Sequence, residues 1–357
     1  MCQCPCAGDE RTLESVAIPL PRVAHFRLGR GALLLFASIL GGSSLWPRAG
    51  HGETPQPPPA LPAPQPASLD PTPEVLVEAA EPKYVAPTLR DRIGRIWAPV
   101  LINGKGPFRL VLDTGASHSA VISRVADNLG LAEGGDSVLV RGVTGAAVVP
   151  AIHVQRMEVG DLLIEPSTLP IVADVFGGAE GVLGREGMPD KRIFADFSHD
   201  RLTISRSHRE RAPAGFSTIP LRISHGGLLT ADIRIGTIKA AAVIDTGAQQ
   251  TVGNIALREA LMKHPPSDAV PEDIIGVTLD LTHGNTIGAP PIAIGTLSLR
   301  HVRVTFADTY LFDHLNMTRE PTLLLGMDVL GSFDVLVIDY RMKEMQIRTR
   351  KPLQPDS

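Results

Sequence analysis

The chain has 357 residues, with 34 Lys+Arg against 38 Asp+Glu and a formal net charge of -4. That balance excludes a strongly basic nucleic-acid binder, and the length allows two domains and a tail. Apolar residues make up 43% and aromatics only 4%, so a packed core is expected, built from Val, Ile, Leu and Ala. The cysteines, Cys2, Cys4 and Cys6, all lie at the extreme N-terminus. A disulfide scaffold, a cysteine nucleophile and a thiolate metal site are therefore excluded for the body of the chain.

Arg22, Arg27 and Arg30 precede an apolar run at 31–45, GALLLFASILGGSSL. The run is shorter than the ~20 residues of a spanning helix and is broken by Gly41, Gly42, Ser43 and Ser44. Together with the small residues Gly50 and Gly52 it reads as a secretory signal. The alternative is a retained, tilted anchor helix. The Cys-x-Cys-x-Cys start lacks zinc-site spacing, and no cysteine follows the run to carry a lipoprotein anchor. Residues 1–52 are thus expected to be a leader with a signal peptide or membrane anchor. Nine prolines then fall within 54–73. Proline fixes extended geometry and removes backbone donors, so 53–90 reads as a linker.

From 91 to 350 one pattern is written twice, over 91–210 and 211–350, before a short tail at 351–357. The first copy opens IWAPVLINGKGPFRLVLDTGASHSAVI and the second LLTADIRIGTIKAAAVIDTGAQQTVGN. Gly104 lies nine residues before Asp113, and Gly236 nine before Asp245. The residues around these glycines (Val100, Ile102 and Val111; Ile233, Ile235 and Val243) suit a hairpin in each copy. The match continues without a gap, Ser119 with Thr251, Val125 with Leu257 and Leu129 with Leu261. Apolar spacing predicts a short helix or turn there in both.

The middle of each copy is strand-like. Gly142, Val143, Thr144 and Gly145 in the first, and Thr282, His283, Gly284 and Asn285 in the second, read as hairpin tips. Such tips are either structural turns or loops that close over a groove. Each copy ends on two apolar residues and a glycine (Val182-Leu183-Gly184; Leu324-Leu325-Gly326). An Asp before an aromatic follows, Asp196-Phe197 and Asp339-Tyr340. A recurring Asp in that place reads as a turn or cap residue.

One Asp-Thr-Gly is an ordinary turn. Two, each after an apolar strand and each followed by Ala, point to chemistry that needs both. Two carboxyls brought within ~3 Å hold one shared proton. The ionised member accepts a proton from water while the protonated member donates to a substrate carbonyl. Gly permits the sharp loop, and the Thr hydroxyl can lock it.

Leu112-Asp113-Thr114-Gly115-Ala116 and Ile244-Asp245-Thr246-Gly247-Ala248 resemble the active-site loops of aspartic proteases. Ala after Gly, with Ser119 or Thr251 six residues past the Asp, is closer to the retroviral-type (retropepsin-like) branch than to the pepsin branch. The apolar-apolar-Gly elements at Gly184 and Gly326 also match. The resemblance covers most of residues 95–348. It implies an all-β fold of two homologous retropepsin/pepsin-like β-barrel lobes around a pseudo-twofold axis, in a bacterial, exported tandem form. It implies Asp113 and Asp245 as the catalytic pair, with Thr114, Gly115, Ala116, Thr246, Gly247 and Ala248 supporting them. Thr114 and Thr246 would exchange hydrogen bonds across the lobes, and the two predicted tips would be substrate-binding flaps. The partner is a polypeptide substrate and no nucleic acid; no metal or cofactor is required. A chain carrying both halves is expected to be a monomer.

The sequence departs from the branch in two places. Ser117-His118 and Gln249-Gln250 stand where retroviral enzymes carry acids that hold the substrate backbone. Gly184-Arg185-Glu186-Gly187 stands where the second copy has Gly326-Met327-Asp328-Val329-Leu330, so the first lobe is expected to pack differently there. The expectation is an aspartic endopeptidase, periplasmic or secreted, or held at the inner membrane by its apolar run. The alternatives are an inactive peptide-binding module of the same fold and a protease completed by homodimerisation. His118 is placed near the groove and His283 in solvent, and Asn316-Met317-Thr318 fits a glycosylation acceptor.

Overall fold

The computed structural model describes residues 14–17, 84–87, 94–131, 135–160, 162–165, 167–224, 226–262 and 269–350. Apart from 14–17 and 84–87, the expected leader and signal, the Pro-rich linker and the tail lie outside the described residues. The described residues all fall in one compact unit and are mostly strand with a few short helices, an all-β fold. None of their helices is long and apolar enough to cross a membrane.

Each copy begins with the predicted hairpin. Trp97–Ile102 and Lys105–Leu112 are joined at Asn103 and Gly104, with φ of 51° and 74°. Positive φ at both turn residues matches the right-handed twist of the flanking strands. Leu228–Ile235 and Ile238–Ile244 repeat the arrangement around Gly236. The second strand of each hairpin then takes a parallel neighbour. Gly181–Leu183 pairs Val182 with Val111, and Thr322–Leu325 pairs Leu324 with Val243. These buried strands lead straight into the Asp-Thr-Gly loops and fix where those loops lie. The expected helices follow, Ser123–Leu129 and Ile255–Leu261. Asn254 caps the second, its Oδ1 accepting from Leu257 N at 2.8 Å.

Among the described residues, one sheet of nine strands forms the first lobe and one of eleven the second. A six-stranded sheet joins them. At its centre Lys191–Asp196 of the first copy runs antiparallel to Val335–Asp339 of the second, with Phe194 opposite Val337. A buried polar cluster holds this seam. Arg192 donates to Asp339 Oδ2 at 3.3 Å and to Gln346 Oε1 at 2.8 Å, and Ser207 Oγ donates to the same Asp339 oxygen at 2.8 Å. One apolar core runs through both lobes, dominated by Ile, Leu and Val as the composition implies.

Two strands fall in stretches read from sequence as leader and linker. Glu14–Ala17 lies parallel on Leu297–Arg300, and Tyr84–Pro87 antiparallel on Arg201–Arg206. Both sit on sheet edges, whose free N–H and C=O groups accept an extended segment. The strand Tyr84–Pro87 lies inside the stretch assigned to the linker.

Candidate active site

The two loops meet as mirror copies of one hydrogen-bond pattern. Thr114 N donates to Thr246 Oγ1 and Thr246 N to Thr114 Oγ1, both at 3.1 Å. The Thr114 hydroxyl donates to Ile244 O and the Thr246 hydroxyl to Leu112 O, both at 2.7 Å. Each threonine thus ties its own loop to the strand that carries the opposite aspartate. Both threonines are 1% exposed, so these bonds have no competing water.

Inside this frame each aspartate is held by its own loop. Asp113 Oδ1 accepts from Gly115 N at 2.8 Å and Ala116 N at 2.9 Å. Asp245 Oδ1 accepts from Gly247 N at 2.9 Å and Ala248 N at 3.1 Å. The two carboxyls are close enough to influence each other's ionisation. Gly115 and Gly247 make this approach available. A methyl on Gly115 would stand 2.7 Å from Asp245 Oδ2, and one on Gly247 would overlap the Asp113 carboxyl.

Burial, then the neighbouring Asp113 charge, pushes Asp245 well above the usual carboxylate range. Burial also raises Asp113, but the Ala116 and Gly115 N–H groups, the hydrogen bond from Asp245 and the charge of Arg95 oppose it. Both carboxyls are thus pushed upward, and ionising the two together is disfavoured. Arg95, whose Nη1 donates to Gly247 O at 3.4 Å across the lobes, was not singled out from the sequence.

The apolar-apolar-Gly elements pack beside the loops as expected. Gly184 N donates to Ser119 Oγ at 3.0 Å and Gly326 N to Thr251 Oγ1 at 3.1 Å. The expected difference of the first lobe is only partly present. Glu186 takes the place of Asp328: its Oε1 accepts from Ser119 N at 2.6 Å, while Asp328 Oδ2 accepts from Thr251 N at 3.1 Å. The signal was an acid two residues after each glycine. The lobes diverge just beyond, where Met327–Leu330 is helical and the first copy turns at Gly187. Arg185 also differs from its counterpart Met327, reaching across to donate to Gly226 O.

The first predicted tip, at Gly142–Gly145, is a hairpin tip. Ser137–Arg141 pairs with Ala146–Val154 around Gly142, Val143, Thr144 and Gly145, and Gly142 N donates to Gly145 O at 2.8 Å. The second needs correction. Thr282, His283, Gly284 and Asn285 are not a tip but part of the strand Leu281–Gly288, opposite Ile274, Asp273, Glu272 and Pro271. The tip is formed by residues 276–280, and the two tips touch. A methyl on Gly142 would stand 3.1 Å from Val277, and one on Gly276 2.5 Å from the Thr144 hydroxyl. A helix peculiar to the second lobe, Tyr310–His314, reaches the first flap as well, with Leu311 N donating to Val143 O at 3.1 Å.

Ser117, His118 and Gln249 are exposed at the mouth of the loops, and Gln250 is half-buried. His283 is exposed and pairs with Asp273 Oδ1 at 2.7 Å. Asp196 and Asp339 do close turns, accepting from His199 N at 3.1 Å and Met342 N at 2.9 Å. Asp339 is in addition the buried partner of Arg192, a role its sequence context does not disclose.

The family model described as aspartyl protease matches residues 98–186 and 229–329, once over each lobe and together more than half of the chain. The chain belongs to the aspartyl protease family. Among curated proteins none matches it.

Proposed function

We propose that the protein is an aspartic endopeptidase whose catalytic pair is Asp113 and Asp245. The observation that carries this reading is the pairing of two mutually interacting carboxyls, Asp245 buried and Asp113 half-buried, locked by the reciprocal Thr114 and Thr246 bonds. A peptide lies extended between the flaps and the loops, its scissile carbonyl over the pair. Asp113 takes a proton from a water lodged between the carboxyls, and the water oxygen bonds to the carbonyl carbon. Asp245 gives its proton to the carbonyl oxygen, forming a neutral diol. Asp245 then takes a diol proton back, Asp113 passes its own to the nitrogen, and the C–N bond breaks. Both carboxyls return to their starting states. The loop N–H groups hold each Oδ1 throughout, so little reorganisation is needed during the reaction.

The decisive experiment is cleavage of a peptide library over a pH series, with and without a statine-type transition-state analogue. Cleavage that the analogue blocks and EDTA leaves unchanged is expected. Strong inhibition by the chelator, or cleavage indifferent to the analogue, would overturn the dyad mechanism.

We further propose export, on the basic residues and short apolar run before the proline-rich stretch. N-terminal sequencing of the native protein should find a start near Gly52 in material recovered outside the cytoplasm. A mature chain that retains the apolar run would instead make it a membrane-anchored enzyme.

A further inference from the structure

The two halves of the groove are not chemically equivalent, and strand register locates the difference. Counting outward from the last pair before each tip, Arg141–Ala146 and Ile275–Leu281, the third pair beyond it is Val138–Val149 in the first flap and Glu272–Gly284 in the second. Glu272 is half-buried and spans from flap to active-site loop. Its Oε1 accepts from the amide of Gln250, five residues beyond Asp245, and its Oε2 from the Thr286 hydroxyl, with Thr305 at 3.5 Å. Thr286 and Thr305 are opposed in the sheet, as Ala151 and Pro170 are in the first lobe. The second lobe's set of Glu272, Gln250, Thr286 and Thr305 therefore replaces Val138, His118, Ala151 and Pro170.

All donors to the Glu272 carboxylate are neutral, and it takes part in no ion pair among the described residues. A carboxylate partly withdrawn from water and lacking a counter-charge gains most from a cation brought by a ligand. An extended peptide bound between flap and loop presents alternate side chains to each wall. One residue on one side of the scissile bond thus faces Glu272, while its counterpart on the other side faces Val138 and His118.

Resting on the protease reading above, we propose that Glu272 is a specificity-determining residue. It selects substrates with Lys or Arg at one subsite in the second lobe, whereas the symmetry-related subsite of the first lobe takes an apolar side chain.

The test is the ratio of kcat/KM for paired peptides carrying Lys or norleucine, scanned along the sequence. A wild-type ratio of about ten or more is expected at one position, from one charge-assisted hydrogen bond. In Glu272→Gln the ratio should fall to near one, and in Glu272→Val, which copies the first lobe, below one. The same pairs built as statine-type inhibitors and titrated by calorimetry should give the same ratios in Kd, with no need for turnover. A ratio near one at every position in the wild type, or one that persists in Glu272→Gln, overturns the inference while leaving the protease reading intact. Preferential binding of Lys peptides that are never cleaved would do the reverse.

Discussion

Asp113→Asn and Asp245→Asn are each expected to lower kcat by about 10³-fold or more while leaving the fold intact. Asparagine keeps the shape of the carboxyl and one oxygen to accept the loop N–H groups, so the Thr114–Thr246 frame need not move. At 113 it can neither take a proton from water nor return one to the leaving nitrogen, and at 245 it can neither give a proton to the carbonyl oxygen nor take one back from the diol. Near-normal turnover in either variant, on a peptide the wild type cleaves, would sink the shared-dyad mechanism.

Asp245→Asn should also change stability. Folded Asp245 holds its proton more tightly than it does in the unfolded chain, because burial and the Asp113 charge disfavour its ionised form. Its contribution to folding is therefore present at acid pH and is lost as the pH rises through its folded value. Wild-type activity should fade over the same rise, because the proton given to the carbonyl is then missing. An asparagine in that place has no charge to bury, so Asp245→Asn should flatten this pH dependence. At neutral pH the variant should melt above the wild type, by about 2–4 °C for each kcal/mol relieved. Thermal melts at acid and neutral pH read this directly. A neutral-pH melting point below that of the wild type would show that Asp245 is not held protonated by its surroundings.

How much of this was legible in the sequence follows from the range of the forces involved. The hairpins, the Asp-Thr-Gly loops and the helices after them are set by turn residues and by apolar spacing over a few positions, and the duplication makes each copy a check on the other. The second flap tip was misplaced for a physical reason. Gly284, between His283 and Asn285, has turn-forming neighbours, but its glycine serves close packing in a strand. A methyl there would stand 2.7 Å from Thr305 and 3.1 Å from Phe306 O. The true turn at 276–280 instead carries Leu279 at a φ of 63°, a conformation a leucine seldom adopts. The equivalence of Glu186 and Asp328 was hidden by a one-methylene difference in side-chain length and by the divergence that follows. What joins the lobes was not legible at all, because its partners are distant in sequence. Arg192 and Asp339 are 147 residues apart, and no local pattern marks an arginine that is to be buried.

That seam is where the largest loss of stability is expected. Arg192→Leu should destabilise the protein by about 3–5 kcal/mol, because it leaves Asp339, 0% exposed, as a buried charge without its counter-ion. Ser207 and Met342 N would still donate to it, but neither supplies a positive charge. Removing both charges in Arg192→Leu/Asp339→Leu should recover much of the loss, since apolar side chains suit a site sealed on both sides. Chemical denaturation of the wild type, the single and the double variant measures both effects. A single variant within about 1 kcal/mol of the wild type would mean that the pair does not hold the central strands together. The same seam bears on assembly. Lys191–Asp196 pairs with Val335–Asp339 of the same chain, and on that ground we propose that the dyad needs no second copy. Light scattering should therefore find a monomer, and specific activity should stay constant as the protein is diluted. Activity that falls in step with the dissociation of a dimer would place the working site between two chains and overturn the single-chain assembly.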